Sequence, residues 1–240
     1  MNGILNIIDI EYKQNLIKLE YILNSRNGKV LLFLHGLGAD KNSFSKIFED
    51  KRFQDFTMIG LDFPGHGMSK YYENMNIDDL VEITKLFVDK IHLQEITIVG
   101  HSMGGLVGLL FCNKYPNLVN GFVNIEGNLD KTDCRFSGHI ARMTIQEFDK
   151  EFGSKHRGMR DVSKSMVEYS NNENVYPSFL QLNIPKIFIY GDKSTITYLN
   201  NLQANGMKMF KISDSGHFPF VDNPKEFNEL LFDYLNGYIS

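Results

Sequence analysis

Short apolar segments of strand length alternate with longer segments of helical period along most of this chain. Residues 29–34, with the sequence KVLLFL, form a continuous apolar run, which is typical of a strand buried on both faces. Similar runs occur at residues 56–62, 95–99, 122–126, 186–190 and 208–212. Since strands that alternate with helices form βαβ units, the pattern predicts an α/β fold whose sheet is mostly parallel and is flanked by helices.

The first part of the chain departs from this alternation. Residues 4–13 and 16–24 are two strand-like segments, and the short turn Gln14-Asn15 separates them. This spacing predicts a β-hairpin. Together with the six apolar runs, the hairpin brings the predicted sheet to eight strands.

Two helices have clear start signals. Residues 77–91 place apolar side chains at helical spacing after Asn76, a residue type that is favoured at helix N-caps. Residues 224–239 show the same pattern after Asn223. Both segments are predicted to be amphipathic helices that pack on the sheet.

Residues 127–183 interrupt the alternation, because they contain no strand-like run and several short amphipathic stretches. A structureless loop of that length is rare in a compact domain. We therefore predict an inserted helical lid at residues 127–183, between the two parts of the core at residues 1–126 and 184–240.

The charge balance and the absence of a long apolar run limit the partners of the chain. Its 240 residues include 25 basic and 29 acidic side chains, so the formal net charge is −4. This balance argues against nucleic-acid binding, which needs a basic face to displace counterions. No apolar run approaches the ~18 residues of a membrane span, and the first residues do not resemble a signal peptide. We expect a cytoplasmic protein with a small-molecule substrate and no membrane partner.

The distribution of potential metal ligands indicates no metal site. Cys112 and Cys134 are too few for a disulfide framework and have no CxxC spacing. The histidines and carboxylates likewise lack a metal-ligand spacing. We therefore expect free thiols, no metal and no cofactor, while the oligomeric state is left open.

Residues 100–104, with the sequence GHSMG, form a G-x-S-x-G pentapeptide. The strand-like run at residues 95–99 precedes it, and a helical segment at residues 106–114 follows it. This order is that of a nucleophile elbow, in which a serine lies on a sharp strand-to-helix turn and the glycines prevent clashes. Ser102 is therefore the candidate nucleophile.

Three further motifs lie at the ends of predicted strands. Their sequences are HGLG at residues 35–38, DFPGHGMS at residues 62–69 and SDSGHFP at residues 213–219. Together with the pentapeptide, they resemble in type and order the motifs of the α/β-hydrolase superfamily. The resemblance implies the α/β-hydrolase fold and a Ser-His-acid triad, and a serine at the nucleophile position argues for acyl transfer.

His217 is the candidate base, since it lies in a glycine-containing loop between a strand and the last helix. The motifs imply that the oxyanion donors are the backbone N–H groups of Leu37 and Met103. Three other histidines adjoin glycines in these motifs and are interpreted as packing or loop-bracing groups: His35, His66 and His101.

The acid of the triad has two candidates. Much of the family places it three residues beyond the glycine that ends the strand before the histidine loop, but this chain has Ser194 there. Asp192 is nearby and is the alternative acid. Glu126 is favoured because it ends an apolar strand before a glycine turn, where a carboxylate is costly to bury without a partner. Asp62 is interpreted as a brace for its own turn.

The predicted lid carries two features that bear on the substrate. The basic stretch at residues 155–160 either attracts an anionic substrate or is a solvated loop. A group of large apolar side chains either lines a tunnel or forms the core of the lid: Phe136, Met143, Phe148, Phe152, Met159 and Met166.

These residues predict a lidded serine hydrolase that cleaves a small or medium carboxylic ester through an acyl-enzyme intermediate. Two alternatives stay open. One is a C–C bond or thioester hydrolase with the same triad, and the other is a non-catalytic ligand-binding protein on a hydrolase scaffold.

Overall fold

One mixed sheet organises the protein, whose computed structural model describes residues 3–24 and 28–238. Within these residues the strands are Ile4–Tyr12 (β1), Asn15–Leu23 (β2), Val30–Leu34 (β3), Thr57–Leu61 (β4), Ile96–His101 (β5), Val119–Ile125 (β6), Lys186–Gly191 (β7) and Met209–Ile212 (β8). They pair in the order β1-β2-β4-β3-β5-β6-β7-β8. β2 is antiparallel to β1 and to β4, whereas the other neighbouring pairs are parallel. The predicted eight-stranded, mostly parallel sheet is confirmed.

Helices cover both faces of the sheet. They are Ser45–Phe48 (α1), Ile77–Lys90 (α2), Met103–Lys114 (α3), Arg135–Arg142 (α4), Ile145–Phe152 (α5), Arg157–Ser170 (α6), Val175–Gln181 (α7), Leu199–Ala204 (α8), Pro219–Asp222 (α9) and Pro224–Tyr238 (α10). Alternate residues of each strand face opposite cores. Leu32 and Leu34 of β3 belong to the core with α2 and α3, whereas Leu31 and Phe33 belong to the core with α1 and α10.

The hairpin forms as predicted, but its turn lies one residue earlier. Tyr12 pairs with Asn15, so the two turn residues are Lys13 and Gln14 rather than Gln14 and Asn15. Both turn residues have positive φ, 44° and 62°. Two positive φ values are typical of the type I′ turn, whose twist matches that of the flanking strands.

The two predicted amphipathic helices are confirmed. At the start of α2, the side chain of Asn76 accepts the N–H of Asp79, and the Asp79 carboxylate accepts the N–H of Asn76, which forms a capping box. This helix ends at Lys90, one residue before the predicted end. Asn223 accepts the N–H of Glu226 in the first turn of α10. The predicted last residue of α10, Ile239, lies outside the described residues.

The helix after the pentapeptide begins earlier than predicted. Helix α3 starts at Met103, directly after Ser102, and not at Leu106. Its first turn contains Gly104 and Gly105, whose low helix propensity hides this start in the sequence. Close packing of these glycines against neighbouring backbone compensates for their poor propensity.

Four helices, α4 to α7, lie between β6 and β7. Ile140, Phe148 and Met159 of α4, α5 and α6 form a small apolar cluster of their own. In contrast, Phe179 of α7 packs against Phe122 and Phe188 of the sheet. The division of the chain into a lid at residues 127–183 and a core stays a prediction.

A buried ion triad connects the hairpin to the two loops that follow β3 and β4. The ammonium of Lys41 lies 2.7 Å from Oδ2 of Asp62 and 2.5 Å from Oε2 of Glu20. The side chains of Lys41 and Asp62 are 4% and 0% exposed. The Asp62 carboxylate also accepts the backbone N–H groups of Lys41 and Met68, so the interpretation of Asp62 as a brace is confirmed.

We expect the Lys41→Met variant to lower the free energy of unfolding by about 3–5 kcal/mol, because it leaves two carboxylates buried without their cation. Equilibrium urea unfolding measures the change. Lys46→Met is the matched control, since Lys46 is 61% exposed and pairs with Glu49 over 3.6 Å. Equal effects of the two substitutions would contradict a stabilising role for the triad.

Candidate active site

Ser102 lies at the sharp turn between β5 and α3. Its φ and ψ are 52° and −116°, which are unfavourable for a non-glycine residue. Hydrogen bonds hold this backbone in place. The N–H of Ser102 donates to Ile125 O over 3.0 Å, and its carbonyl oxygen accepts the N–H groups of Gly105 and Leu106. The turn therefore presents the hydroxyl at the carboxyl edge of the sheet.

Two glycines make this turn possible. A Cβ atom on Gly104 would lie 2.0 Å from the carbonyl oxygen of Leu34, at the end of β3. A Cβ atom on Gly100 would lie 2.4 Å from the carbonyl oxygen of Gly104. The first turn of α3 thus touches the backbone from which the HGLG loop starts, and this contact brings the loop next to Ser102.

The structure brings His217 and Glu126 together. Nδ1 of His217 lies 2.8 Å from Oε2 of Glu126. Because a carboxylate only accepts hydrogen bonds, this contact assigns a proton to Nδ1, and in the neutral tautomer of that ring Nε2 is the acceptor. The His217 side chain is 48% exposed, whereas that of Glu126 is 3% exposed.

Glu126 is fully engaged by donors from neighbouring loops. It follows β6 directly and has a positive φ of 46°. Its Oε1 atom accepts the backbone N–H of Gly191 over 2.8 Å and a short hydrogen bond from the hydroxyl of Ser194. Ser194 is the residue at the position where the family pattern puts an acid, and here it is a donor to the carboxylate that contacts His217.

Asp192 contacts the backbone of the loop that carries His217. Its Oδ1 atom accepts the N–H of Ser215 over 3.0 Å, and this hydrogen bond lowers the pKa of the Asp192 carboxyl. Asp192 thereby braces the loop that carries His217. Of the two candidate acids, the structure brings Glu126 to the imidazole.

The other motif histidines brace the loops around the site. Nε2 of His35 accepts the N–H of Phe63, and the ring of His66 contacts Pro64 O. Nε2 of His101 lies 2.8 Å from His217 O. Burial lowers the pKa of His101 well below its usual value, so the ring is neutral and donates to that carbonyl. The interpretation of these three histidines as bracing groups is confirmed.

The two candidate oxyanion donors belong to the two segments next to Ser102, the HGLG loop and the start of α3. Leu37 lies in the HGLG loop and lines the same cavity as Ser102. Met103 is the first residue of α3, so its N–H is one of the donors that a helix leaves without an intrahelical partner. Both are therefore placed near the hydroxyl that would attack a carbonyl.

Asn128 is a site residue that the sequence analysis missed. Ser102 Oγ donates to Asn128 Oδ1 over 3.4 Å, so the hydroxyl is directed toward this amide. The Asn128 amide nitrogen in turn contacts Asp133 O over 3.3 Å. In the sequence, Asn128 lies two residues after the candidate acid Glu126, and this closeness is the signal that could have identified it.

Ser102 and His217 line one cavity of about 690 Å³. Of the six apolar residues singled out in the predicted lid, four contribute to its wall: Phe136, Phe152, Met159 and Met166. Met143 and Phe148 pack in the apolar cluster of α4 to α6 instead. The cavity therefore has a polar floor at the sheet edge and an apolar wall from the helices above it.

The basic stretch at residues 155–160 is mostly engaged with the protein itself. The guanidinium of Arg157 pairs with the carboxylate of Asp149, and Nε of Arg160 donates to Met143 O. His156 and Met159 are the members of this stretch that line the cavity.

The described residues contain neither a metal-binding cluster nor a membrane-spanning helix. Among residues 3–24 and 28–238, no three His, Cys, Asp or Glu side chains are grouped so that they could hold a metal ion. Over the same residues, no helix combines the length and the apolar composition needed to cross a bilayer.

Comparisons with known proteins bear on the family and the fold of the chain. Residues 29–154 match the sequence model of a family described as alpha/beta hydrolase fold. The chain is 25% identical to a Mycoplasma genitalium protein named as a candidate esterase/lipase, over 87% of this chain and 89% of that protein. Its structure is similar to that of a thermophilic esterase from Thermogutta terrifontis, with a TM-score of 0.79 and 17% identity over 98% of this chain and 100% of the other. An N-acyl homoserine lactonase complexed with N-butanoyl homoserine also has a TM-score of 0.79, with 15% identity over 96% of each chain. At these identities, the structural likeness concerns the fold.

We expect Gly104→Ala to destabilise the protein by about 3 kcal/mol or more, because the added methyl group meets backbone rather than a movable side chain. Gly237→Ala is the control, since a Cβ atom at this position of α10 meets nothing within 4 Å. Alanine should stabilise that helix by about 0.5–1 kcal/mol. Urea unfolding of both variants checks the prediction, which fails if Gly104→Ala unfolds at the midpoint of the unsubstituted chain.

Proposed function

Because this chain belongs to the alpha/beta hydrolase fold family, we propose that it is a serine hydrolase that cleaves a small or medium carboxylic ester through an acyl-enzyme intermediate. The observation that carries the proposal is the 2.8 Å contact between His217 Nδ1 and Glu126 Oε2, beside a cavity that also contains Ser102. The esterase/lipase name of the Mycoplasma genitalium relative supports the choice of an ester.

In the proposed reaction Ser102 is the nucleophile and His217 is the base. Rotation of the Ser102 side chain moves its hydroxyl from Asn128 to Nε2 of His217, which takes the proton as Oγ attacks the carbonyl carbon. Glu126 keeps the proton on Nδ1 and stabilises the imidazolium that forms. A buried carboxylate with three donors is suited to this role, because it cannot turn away from the ring.

The tetrahedral intermediate carries a negative charge on the former carbonyl oxygen. The backbone N–H groups of Leu37 and Met103 receive this oxyanion, and one such donor is worth about 2.7–4 kcal/mol of transition-state stabilisation. The imidazolium then gives its proton to the leaving alcohol, and the C–O bond breaks. A water molecule repeats the sequence on the acyl-enzyme and releases the carboxylic acid.

The helices that follow β6 are proposed to act as a lid over this site. Phe136, Phe152 and Met159, from α4, α5 and α6, line the cavity above Ser102. Their apolar side chains are suited to the acyl chain of the ester and to the exclusion of water from the oxyanion. The proposed lid is residues 127–183.

We expect a fluorophosphonate probe to label the chain at a single residue, Ser102, and to leave Ser102→Ala unlabelled, because the phosphonylation requires an activated hydroxyl. Intact-protein mass spectrometry followed by peptide mapping measures the site. Absence of labelling would favour a ligand-binding protein on a hydrolase scaffold. A panel of p-nitrophenyl esters, thioesters and vinylogous diketones then assigns the bond that is cleaved.

We expect Glu126→Gln to lower kcat by about a hundredfold or more, because the glutamine amide can donate to Nδ1 and stabilise the wrong imidazole tautomer. Asp192→Asn is the matched control, since its oxygen can still accept the N–H of Ser215 and its effect should be small. Steady-state ester hydrolysis and thermal melting of both variants measure the outcome. The reverse ranking of the two kcat values would transfer the acid role to Asp192.

A further inference from the structure

A second cavity of about 270 Å³ adjoins the one that contains Ser102. Asp133, Phe136 and His217 line both cavities, so the two meet at the exposed imidazole. The second cavity lies between the loop before α4 and the loop after β7. No residue of the HGLG loop contributes to its lining, and Ser102 does not either.

The lining of the second cavity includes two cations and two carboxylates. Arg135 and Lys193 belong to the lining, together with three hydroxyl side chains: Thr132, Ser194 and Thr195. The cavity that contains Ser102 has neither lysine nor arginine in its lining. The two spaces on either side of His217 therefore have different chemistry.

The carboxylates in this second cavity already have donors. Glu126 is held by His217, Ser194 and Gly191, as described above. Oδ2 of Asp133 accepts two backbone N–H groups and the hydroxyl of Tyr198. Burial raises the pKa of Asp133 to about 6, so part of its charge is lost near neutral pH.

The two cations differ in their own partners. Among the described residues, no carboxylate forms an ion pair with Arg135. Lys193 pairs with Asp214 over 3.1 Å, and both side chains are well exposed, at 61% and 87%. An exposed pair of this kind is weak, so a ligand anion can compete with Asp214 for the ammonium.

We propose that the second cavity binds a carboxylate carried by the alcohol part of the ester, through Arg135 and Lys193. This inference rests on the proposed function. The leaving oxygen takes its proton from Nε2 of His217, so the alcohol part begins beside the imidazole, which lines both cavities. The acyl part occupies the apolar cavity, which contains Ser102 and the HGLG loop. The alcohol part then reaches the second cavity, which contains Arg135 and Lys193.

This assignment differs from the anion site considered for the basic stretch at residues 155–160. Arg157 and Arg160 contact Asp149 and Met143 and do not line either cavity. A guanidinium that is already paired adds little affinity for an anion. Arg157 therefore provides a cation of the same type that serves as an internal control.

The test compares two substrates that differ by one charge in the alcohol part, 3-(butyryloxy)benzoate and 3-(butyryloxy)benzamide. The measured quantity is the ratio of their kcat/KM values, benzoate over benzamide. Chromatography of the released phenol gives the rate for each substrate. Arg135→Gln and Lys193→Gln should each lower this ratio about fivefold, the upper range for a partly exposed ion pair. Asp214→Asn should raise the ratio, because it frees the Lys193 ammonium, and Arg157→Gln should leave it unchanged.

Added salt and a charge on the other side of the ester give two further controls. The ratio should fall toward that of the Arg135→Gln variant in 1 M NaCl, at which the screening length is about 3 Å. When the carboxylate is moved to the acyl part, as in the 4-nitrophenyl monoester of glutaric acid, kcat/KM should no longer change in the Arg135→Gln variant. An unchanged benzoate-to-benzamide ratio in both Arg135→Gln and Lys193→Gln would overturn the proposal.

Failure of the proposed function is separate from failure of the anion site. If the chain hydrolyses neither ester, NMR titration with 3-hydroxybenzoate and 3-hydroxybenzamide tests the cavity without turnover. Tighter binding of the benzoate, lost in Arg135→Gln, supports the anion site. Equal dissociation constants for the two compounds overturn it.

Discussion

The geometry of the site depends on the burial of one carboxylate. Glu126 is almost entirely removed from solvent, and a buried charge is costly unless donors surround it. Its donors are the ring of His217, the backbone of Gly191 and the hydroxyl of Ser194. Glu126 itself follows β6, Gly191 and Ser194 lie at the end of β7, and His217 follows β8. The requirement to satisfy one side chain therefore brings three neighbouring strand ends into a fixed arrangement.

The second constraint is the close approach of α3 to the end of β3. Gly104 lies where any side chain would meet the Leu34 carbonyl, so only glycine lets the helix start this close to the strand. The same approach keeps Ser102 in its unfavourable backbone conformation and brings the HGLG loop beside it. The buried ion triad of Lys41, Asp62 and Glu20 then ties the far end of that loop to the neighbouring turn.

The two cavities that meet at His217 divide the space around the imidazole by chemistry. Phe152, Met159 and Met166, from α5 and α6, give one side an apolar wall, while Arg135 of α4 and Lys193 of the loop after β7 bring two cations to the other side. A reaction with two products of unlike polarity would use such a division, because each part of the substrate then meets a matching surface. His217 is exposed to both sides, which is where a group that transfers a proton between them must lie.

Much of the fold could be predicted because its signals are local. Burial of a strand on both faces requires a continuous apolar run, and a helix on a sheet requires apolar side chains at helical spacing, so both patterns are visible over a few residues. One error occurred where a distant contact overrides local preference, and another where the geometry of a turn decides its position. The glycines at the start of α3 have poor helix propensity, and close packing compensates for it, because Gly104 lies against Leu34 at the end of β3 and Gly105 lies against Gly127. The hairpin turn shifted by one residue because strand twist favours two positive φ values at Lys13 and Gln14.

The sequence by itself determined the succession of strands and helices along the chain, the serine turn and the histidine loop, since each is encoded in neighbouring residues. Only the tertiary structure decided which carboxylate meets His217, because Glu126 is 91 residues away from it along the chain and Asp192 is much nearer. It also revealed Ser194 as a donor to Glu126, Asn128 as the partner of the Ser102 hydroxyl, and the second cavity, with Arg135 and Lys193, beside the imidazole. These features arise where strand ends meet at one edge of the sheet, and no local pattern records which loops meet there.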